Sequence, residues 1–227
     1  CIRDRKKDLA KAGNEKRFAK DKKFWDDQLD ALGEPLYSDI QGPSVLEEAR
    51  KRHGNPKLRS SDIEMKDLFV AVKDYYLEPG PTKNLIDFCM NHQLSMTNLL
   101  LLGIRTYLSK VNNGQEDITI QNFISRRSTH DEWTSGGSRT IMFPCRTVIA
   151  PETDFLSAAY EIQNMQNRIY MHSNYDPAFI MDEMRKRYNT PEHTGYESCY
   201  LTYQPMTVKV ENEICLLYTS DAADEAR

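Results

Sequence analysis

The chain has 227 residues, a formal net charge of −4 and 39 % apolar residues. This length suffices for one large domain or two small ones, and the weak acidic charge gives no reason to expect a nucleic-acid partner. Apolar runs such as Leu99–Leu102 are far shorter than the roughly 20 residues of a membrane helix, so we expect no membrane span.

Cysteine usage points away from metal and redox chemistry. The five cysteines lie at positions 1, 89, 145, 199 and 215, and none forms a Cys-x-x-Cys pair. Zinc and thioredoxin-like sites therefore have no support. Free, mostly buried thiols and the lack of a recognisable leader lead us to expect a cytoplasmic protein.

Both ends of the sequence suggest a piece of a longer protein. The chain begins at Cys1 inside a charged helical pattern. It closes with Cys215–Arg227, which resembles the translation of a transposon-end sequencing adapter. The alternative is a natural polar tail. We treat residues 215–227 as a separate, adapter-derived tail and infer nothing from them.

The first third predicts a long helix, a connector and a strand. An apolar stripe at helical spacing predicts a helix over residues 3–32, ended by Gly33. The stripe consists of Phe18, Trp25, Leu29 and Leu32. Residues 34–62 are weakly patterned, with a short helix at Val45–His53. A strand is predicted at Leu68–Leu77.

Two helices are predicted in the middle of the chain. The first covers Thr82–Gln93, after the chain break at Pro79-Gly80-Pro81. The second covers Met96–Asn112, with Ser95 as its N-cap. Because this second helix is apolar over most of its circumference, we expect it to be buried between layers.

Two β-rich runs, Asp117–Ser125 and Arg139–Ala150, flank a polar connector at residues 128–138. In the first run Phe123 is one step out of phase with the preceding isoleucines. The second run holds Pro144, which lacks a backbone N–H and favours an edge position, a bulge or a break. We expect these two strands to form the floor of the functional site.

The last third predicts two more helices. Thr153 or Asp154 caps one that runs to about Ser173, and Asp176 starts another that ends near Tyr188.

Short strands are predicted at Ser198–Gln204 and Thr207–Val210. Strands and helices in this alternation predict an α/β fold.

Motifs that carry catalytic chemistry are scarce. The sequence holds no phosphate-cradling glycine motif and no G-x-S-x-G elbow. His172 and Asp176 have the spacing of a thioester-dependent acyltransferase motif, but Pro177 stands where that motif has glycine. We favour the alternative, a histidine at a helix C-terminus followed by a capping aspartate.

Arg126-Arg127 directly follows the first predicted strand. Adjacent arginines are most often a solvated surface pair. The alternative is that one arginine turns inward and holds a carboxylate through two parallel hydrogen bonds.

Several short motifs follow one another in a recognisable order. They are Phe24-Trp25 with Gln28-Leu29, Ser95–Leu100, Glu116–Ile120, Ser125–Arg127 and Phe143–Arg146. Together they resemble the C-terminal half of the condensation domain of nonribosomal peptide synthetases, a family of the chloramphenicol-acetyltransferase-like acyltransferases. The resemblance covers about residues 18–205.

The resemblance implies a two-lobe protein with a tunnel between the lobes. Residues 1–33 would lead in from an N-terminal lobe missing from this chain, and residues 34–214 would form the C-terminal lobe, a mixed sheet covered by helices. The family's catalytic motif, His-His-x-x-x-Asp-Gly, would lie upstream in the missing lobe, so we assign no catalytic residue here. Half of such a domain should expose an apolar face and be poorly soluble.

The resemblance also implies roles for individual residues. Arg127 matches the arginine of the family's Ser-Gly-Arg and would form a salt bridge with the aspartate of the catalytic motif. The expected tunnel-wall residues are Gln121, Phe123, Ser125, Met142, Phe143 and Arg146. The sequence departs from the family at Arg126, where glycine is usual, and at Thr140–Phe143, which lacks the family's asparagine.

The implied reaction forms an amide from a thioester donor and an amine acceptor. Phosphopantetheine would arrive on peptidyl or aminoacyl carrier proteins as partners, with no metal or other cofactor bound directly. The connector 128–138 would be a mobile cover over the tunnel. The chain by itself is expected to be inactive. Alternatives are a free-standing acyltransferase that uses coenzyme A thioesters and a non-catalytic, degenerate binding lobe.

Overall fold

The computed structural model describes residues 14–62, 70–127, 130, 134 and 139–204. The helices are α1 Glu15–Leu32, α2 Ser44–His53, α3 Pro79–Asn91, α4 Met96–Val111, α5 Phe155–Met171 and α6 Pro177–Tyr188. The strands are β1 Ser61–Asp62, β2 Asp117–Ser125, β3 Thr140–Val148, β4 Thr194–Gly195 and β5 Tyr200–Leu201. Helices and sheet thus combine in the predicted α/β arrangement.

A mixed three-stranded sheet with the order β3-β2-β5 lies at the centre. β2 and β3 are antiparallel and paired along their whole length, from Asp117 opposite Val148 to Ser125 opposite Thr140. β5 runs parallel to β2. Among the described strands β3 has a neighbour on one side only, so Pro144 lies on an edge strand as its missing N–H predicted.

One face of the sheet forms the core and is called the closed face. Residues directly opposite each other on paired strands share a face, so Ile118, Ile120 and Ile124 of β2 lie beside Phe143 and Cys145 of β3. All five side chains are buried. Helix α4 packs on β2 and α5 on β3, and the two helices also contact each other.

The predicted burial of α4 is confirmed. The Ser95 hydroxyl accepts a hydrogen bond from the Asn98 backbone N–H at 3.1 Å, which satisfies one free donor of the first turn. Leu101, Leu102 and Leu108 are all almost completely buried. The cap and the apolar circumference therefore place this helix where the sequence indicated.

Helix α1 packs on the core through the middle of its apolar stripe. Trp25 stacks on Phe143 with ring centroids 5.7 Å apart, and Phe24 stacks on the imidazole of His172 at 4.3 Å. At the ends of the stripe, Phe18 and Leu32 are exposed. The predicted division into a leading helix, a lobe and a tail stays a prediction.

The spacing of His172 and Asp176 is explained by helix ends. His172 is the C-cap of α5, and Asp176 is the N-cap of α6, where its carboxylate accepts from the Ala178 N–H at 2.9 Å. Asp154 caps the start of α5 in the same way. The capping interpretation of this motif is confirmed.

The predicted strand at Leu68–Leu77 is wrong over residues 70–77, which form no strand. The side chains there are strongly exposed, with Tyr76 at 91 %. Strand propensity needs a neighbouring strand, and no described strand pairs with this segment. Leu68 and Phe69 lie outside the described residues.

Helix α3 begins at Pro79, three residues before the predicted start. The sequence prediction took Pro79 as a break, but a proline fits the first turn of a helix because the N–H it lacks has no partner there. The predicted strand Ser198–Gln204 is reduced to the two residues of β5.

Several predictions fall outside the described residues. These are residues 1–13 of the first helix, most of the connector 128–138, the strand Thr207–Val210 and the tail 215–227.

Cys89, Cys145 and Cys199 are free thiols, as predicted. None of the described helices is both long and apolar enough to cross a membrane.

Candidate functional site

The second face of the sheet is only partly covered. Phe123 of β2 lies directly opposite Met142 of β3, and the two are 36 % and 37 % exposed. Gln121 and Ser125 share this side of β2 because side chains alternate along a strand. Four of the six predicted tunnel-wall residues are therefore brought together on one surface.

Tyr200 extends this surface beyond β2. It pairs with Gln121 in the parallel ladder and is 56 % exposed. We call the surface formed by Gln121, Phe123, Ser125, Met142 and Tyr200 the open face. Sequence reasoning did not single out Tyr200, although the alternation in Ser198–Gln204 marked its segment as a strand.

The other two predicted wall residues have different surroundings. Phe143 lies on the closed face, where its fully buried ring packs against Trp25. Arg146 lies on the same side of β3 as Met142, but its guanidinium is paired with Asp117 through contacts of 2.8 and 2.7 Å. Phe143 therefore contributes to the core, and Arg146 makes an internal ion pair. A tunnel-lining role for the six residues stays a prediction.

Arg146 also holds the end of α1. It donates to the carbonyls of Gly33 at 2.7 Å and Leu32 at 3.1 Å. These are among the last carbonyls of a helix, which lack partners within the helix itself. The Arg146–Asp117 pair thus fixes the α1 C-terminus beside the open face.

The two arginines after β2 differ in exposure. Arg127 is buried, whereas Arg126 is exposed. The backbone N–H of Arg127 donates to the Ser125 hydroxyl at 3.4 Å, and that of Arg126 donates to the Arg139 carbonyl at 3.1 Å. Arg127 therefore lies inside the fold, as the inward alternative requires, and its holding a carboxylate stays a prediction.

A buried polar group lies next to the open face. Glu197, just before β5, is buried, and burial raises the pKa of its carboxyl to about 7. A hydrogen bond from the Gln121 side chain acts in the opposite direction and lowers this pKa. The Glu197 carboxyl therefore stays protonated to unusually high pH.

Glu197 and Thr119 border a cavity of about 40 Å³ between α1, α6 and the sheet. The Thr119 hydroxyl and one Glu197 oxygen are buried and make no hydrogen bond within the described part of the chain. Nothing in the sequence pattern pointed to this pair, because the two residues lie 78 positions apart. Within the described ranges no three metal-binding side chains cluster, so no metal centre is assigned there.

The sequence matches the family model of the condensation domain over residues 6–209. This chain belongs to the condensation domain family. The resemblance seen in the motifs is thereby confirmed. The family match includes all of the elements that build the open face, the Arg146–Asp117 pair and the cavity.

Relatives of this condensation-domain chain agree with that assignment. A plipastatin synthase protein of Bacillus subtilis (strain 168) is 22 % identical over 170 residues, which is 74 % of this chain and 6 % of the synthase. The first condensation domain of the calcium-dependent antibiotic synthetase, solved with substrate analogue 2a, is 15 % identical with a TM-score of 0.60. VibH, a condensation enzyme, is 13 % identical with a TM-score of 0.55.

The structural matches confirm the predicted fold, a lobe of the chloramphenicol-acetyltransferase type. The match to the antibiotic synthetase domain covers 78 % of this chain and 36 % of that one. The match to VibH covers 84 % and 38 %. This condensation-domain chain therefore spans little more than a third of the length of the solved domains that it matches.

Proposed function

We propose that this chain forms one side of the acyl-transfer tunnel of a nonribosomal peptide synthetase condensation domain. The main observation that supports this proposal is the family match over residues 6–209. The partly exposed face with Phe123 and Met142 at its centre supports the same proposal, because a tunnel wall needs a sheet surface that helices leave uncovered.

The reaction joins an acceptor amine to a donor acyl group held as a thioester on a carrier protein. The amine nitrogen attacks the thioester carbonyl, the C–N bond forms and the C–S bond breaks. The sulfur that leaves takes up the proton that the amine loses and becomes a thiol. Carrier proteins bring both reactants on phosphopantetheine arms, so phosphopantetheine is part of the substrates and not a cofactor of this chain. A histidine would act as the base or position the amine. The family motif requires two adjacent histidines, and no two of the five histidines in this sequence are adjacent.

Arg127 is the proposed link between this wall and the catalytic motif. In the whole condensation domain its buried guanidinium would pair with the aspartate of that motif. Breaking a buried ion pair by removing one partner costs about 3–5 kcal/mol. Arg127 would therefore hold the motif in place without touching the reacting atoms.

The test is an amide-forming assay with carrier-protein-bound donor and acceptor thioesters. It uses a condensation domain that joins this sequence to a segment bearing the His-His-x-x-x-Asp-Gly motif, and this chain alone for comparison. We expect product from the longer protein and none from the 227-residue chain. Turnover by the chain alone, or equal use of free coenzyme A thioesters by the longer protein, would contradict the proposal.

Two variants of the longer protein separate the role of Arg127 from a general effect of charge. Arg127→Ala should lose activity or folding, whereas Arg126→Ala removes an equal charge from an exposed neighbour and should leave activity unchanged. Wild-type activity in Arg127→Ala would rule out the proposed pairing.

Exposure of the open face also has a physical consequence for the isolated chain. Phe123, Met142 and Tyr200 present apolar surface to solvent. Contiguous apolar patches larger than a few hundred Å² are unusual on soluble monomers. We therefore expect the chain to self-associate in light scattering, and a monodisperse monomer would count against the proposed lobe interface.

A further inference from the structure

The centre of the open face is an apolar pair, Phe123 on β2 and Met142 opposite it on β3. Three residues further along β2, the Arg126 N–H donates to the Arg139 carbonyl. Hydrogen-bonded and non-hydrogen-bonded pairs alternate along an antiparallel ladder, and the side chains of a non-hydrogen-bonded pair lie closer together. By this alternation Phe123 and Met142 form a non-hydrogen-bonded pair, so the ring and the thioether chain are neighbours in one apolar surface.

Polar side-chain atoms beside this pair are withdrawn from solvent. The Thr119 hydroxyl oxygen and the Gln121 side-chain oxygen each expose less than 1 Å². The Ser125 hydroxyl accepts a hydrogen bond from the Arg127 backbone N–H. Tyr200 keeps its hydroxyl, and burial raises the pKa of that group, so it is uncharged near neutral pH. The middle of the open face therefore presents mainly carbon and sulfur atoms.

Formal charge on this side of the sheet is neutralised. Of the described β2 and β3 residues in phase with Phe123 and Met142, the charged ones are Asp117 and Arg146, which pair with each other. Glu197 is buried, and burial raises the pKa of its carboxyl to about 7, so below that pH it is largely uncharged. A charged group placed on the apolar pair would lose hydration and gain no counter-charge from the described residues of these two strands.

The apolar pair is close to the proposed position of the chemistry. Arg127, the residue proposed to hold the aspartate of the catalytic motif, follows Phe123 by four positions. At about 3.4 Å per strand residue, this separation is roughly 14 Å along β2. The wall at Phe123 would therefore flank the residues that the reaction joins, and it would contact a side chain carried next to the reacting carbonyl or amine.

We propose that the Phe123–Met142 pair selects thioester substrates whose reacting residue has an apolar, uncharged side chain. This inference rests on the tunnel-wall function proposed above. An apolar side chain that covers the pair removes apolar surface from water, which is favourable. A carboxylate or guanidinium in the same place would lose its hydration without a partner. The selected side chain belongs to the donor acyl group or to the acceptor amine, and its chemistry is the same in both.

The test measures amide formation by the longer protein that joins this sequence to a segment with the His-His-x-x-x-Asp-Gly motif. One series compares N-acetylated leucyl, aspartyl and arginyl donor thioesters with a glycyl acceptor, and the other compares the same three residues as acceptors with an N-acetylglycyl donor. We expect leucine to exceed both charged residues by at least about tenfold in one series, which identifies the substrate that contacts the pair. Equal rates in both series would overturn this inference alone, whereas no product from any combination would overturn the proposed function as well.

Charge variants of the longer protein assign the selection to this pair. Phe123→Lys should favour aspartyl over arginyl substrates, and Phe123→Glu should do the reverse, because opposite charges attract; a general loss of folding does not produce two opposite preferences. Met142→Lys and Met142→Glu make the same comparison from β3 if the β2 variants do not fold. Met171→Lys is the control, since Met171 is exposed on α5, which packs on the closed face, and it should keep the wild-type ratios. Folded Phe123 or Met142 variants with wild-type ratios of aspartyl to arginyl product would also overturn the inference.

Discussion

The Arg146 guanidinium and the Asp117 carboxylate face each other in a two-point ion pair, with contacts of 2.8 and 2.7 Å. Asp117 begins β2, and Arg146 lies near the end of the antiparallel β3. The same guanidinium donates to the carbonyls of Leu32 and Gly33, and Asp117 accepts from the backbone N–H of Leu36 at 3.3 Å. One pair therefore joins the sheet to the end of α1 and to the segment that follows it.

Replacing Arg146 by alanine should destabilise the chain strongly. Both side chains of the pair are mostly buried, at 11 % exposure each, and removing one partner leaves the carboxylate without its counter-charge. The expected loss is about 3–5 kcal/mol in the free energy of unfolding, measured with urea. Lysine at this position should recover little, because it cannot make the planar two-point contact.

Arg185→Ala is the matched control for Arg146→Ala. Arg185 contacts Asp182 at 3.4 Å on the exposed side of α6. Exposed pairs of this kind contribute about 0–1 kcal/mol. Equal losses in the two variants would show that the Arg146–Asp117 pair does not organise this part of the fold.

The strand and helix pattern could be predicted where local signals agreed. β2 follows the predicted bounds of its run, and α4 begins directly after the predicted cap Ser95. The out-of-phase position of Phe123 also carried correct information, since this residue lies on the open face, opposite to the isoleucines of the same strand. Residue alternation and capping are local properties, so one sequence is enough to read them.

Features that depend on distant residues were not predictable from these patterns. Asp117 and Arg146 are 29 positions apart. The sequence around Asp117 does not indicate that Arg146 is its partner, and the sequence around Arg146 does not indicate Asp117. Residues 70–77 have strand propensity but none of the described strands pairs with them, and propensity alone does not order a strand. Phe143 lies on the closed face because of the register between β2 and β3, and neither run alone specifies that register.

Replacing Arg105 by methionine should also destabilise the chain, for a different reason. Arg105 is buried in α4 and donates to Thr147 at 3.1 Å and to the carbonyls of Glu116 and Ile149 at 2.5 and 3.0 Å. Burial lowers its pKa. Methionine fills the space but removes the donor to all three oxygens, of which the Glu116 carbonyl keeps the Ile149 N–H as a partner. We therefore expect a loss of at least about 2 kcal/mol.

Thermal unfolding of Arg105→Met should be compared with Lys110→Met in the same helix. Lys110 is exposed, so its replacement removes the same charge without opening a buried acceptor. If both variants unfold at the same midpoint, the hydrogen bonds of Arg105 contribute no net stability.

Cys145 should resist alkylation in the folded chain. Its side chain lies on the closed face, and burial raises the pKa of the thiol to about 12. Because the thiolate is the reactive form, both access and ionisation are suppressed. Iodoacetamide labelling followed by peptide mass spectrometry should leave Cys145 unmodified until urea unfolds the protein, whereas the partly exposed Cys199 should react earlier. Equal labelling of the two residues in the native chain would contradict the packing of β3.

Glu197 should make the stability of the chain depend on pH. Burial raises the pKa of this carboxyl from 4.5 to about 7, so between these values the folded chain holds a proton that the unfolded chain releases. The stabilisation is fully present below about pH 4.5 and is lost as pH rises through about 7, to an extent of about 3 kcal/mol. In Glu197→Gln the group does not ionise, and this loss should disappear.

Urea unfolding between pH 5 and pH 8 tests this dependence. Relative to the wild type, Glu197→Gln should gain stability steadily as pH rises, whereas Glu192→Gln, at an exposed position in the same segment, should follow the wild-type curve. The comparison is needed because other groups titrate in this range, and only the difference between wild type and variant isolates Glu197. Parallel curves for all three proteins would show that the carboxyl is not held in a buried, protonated state.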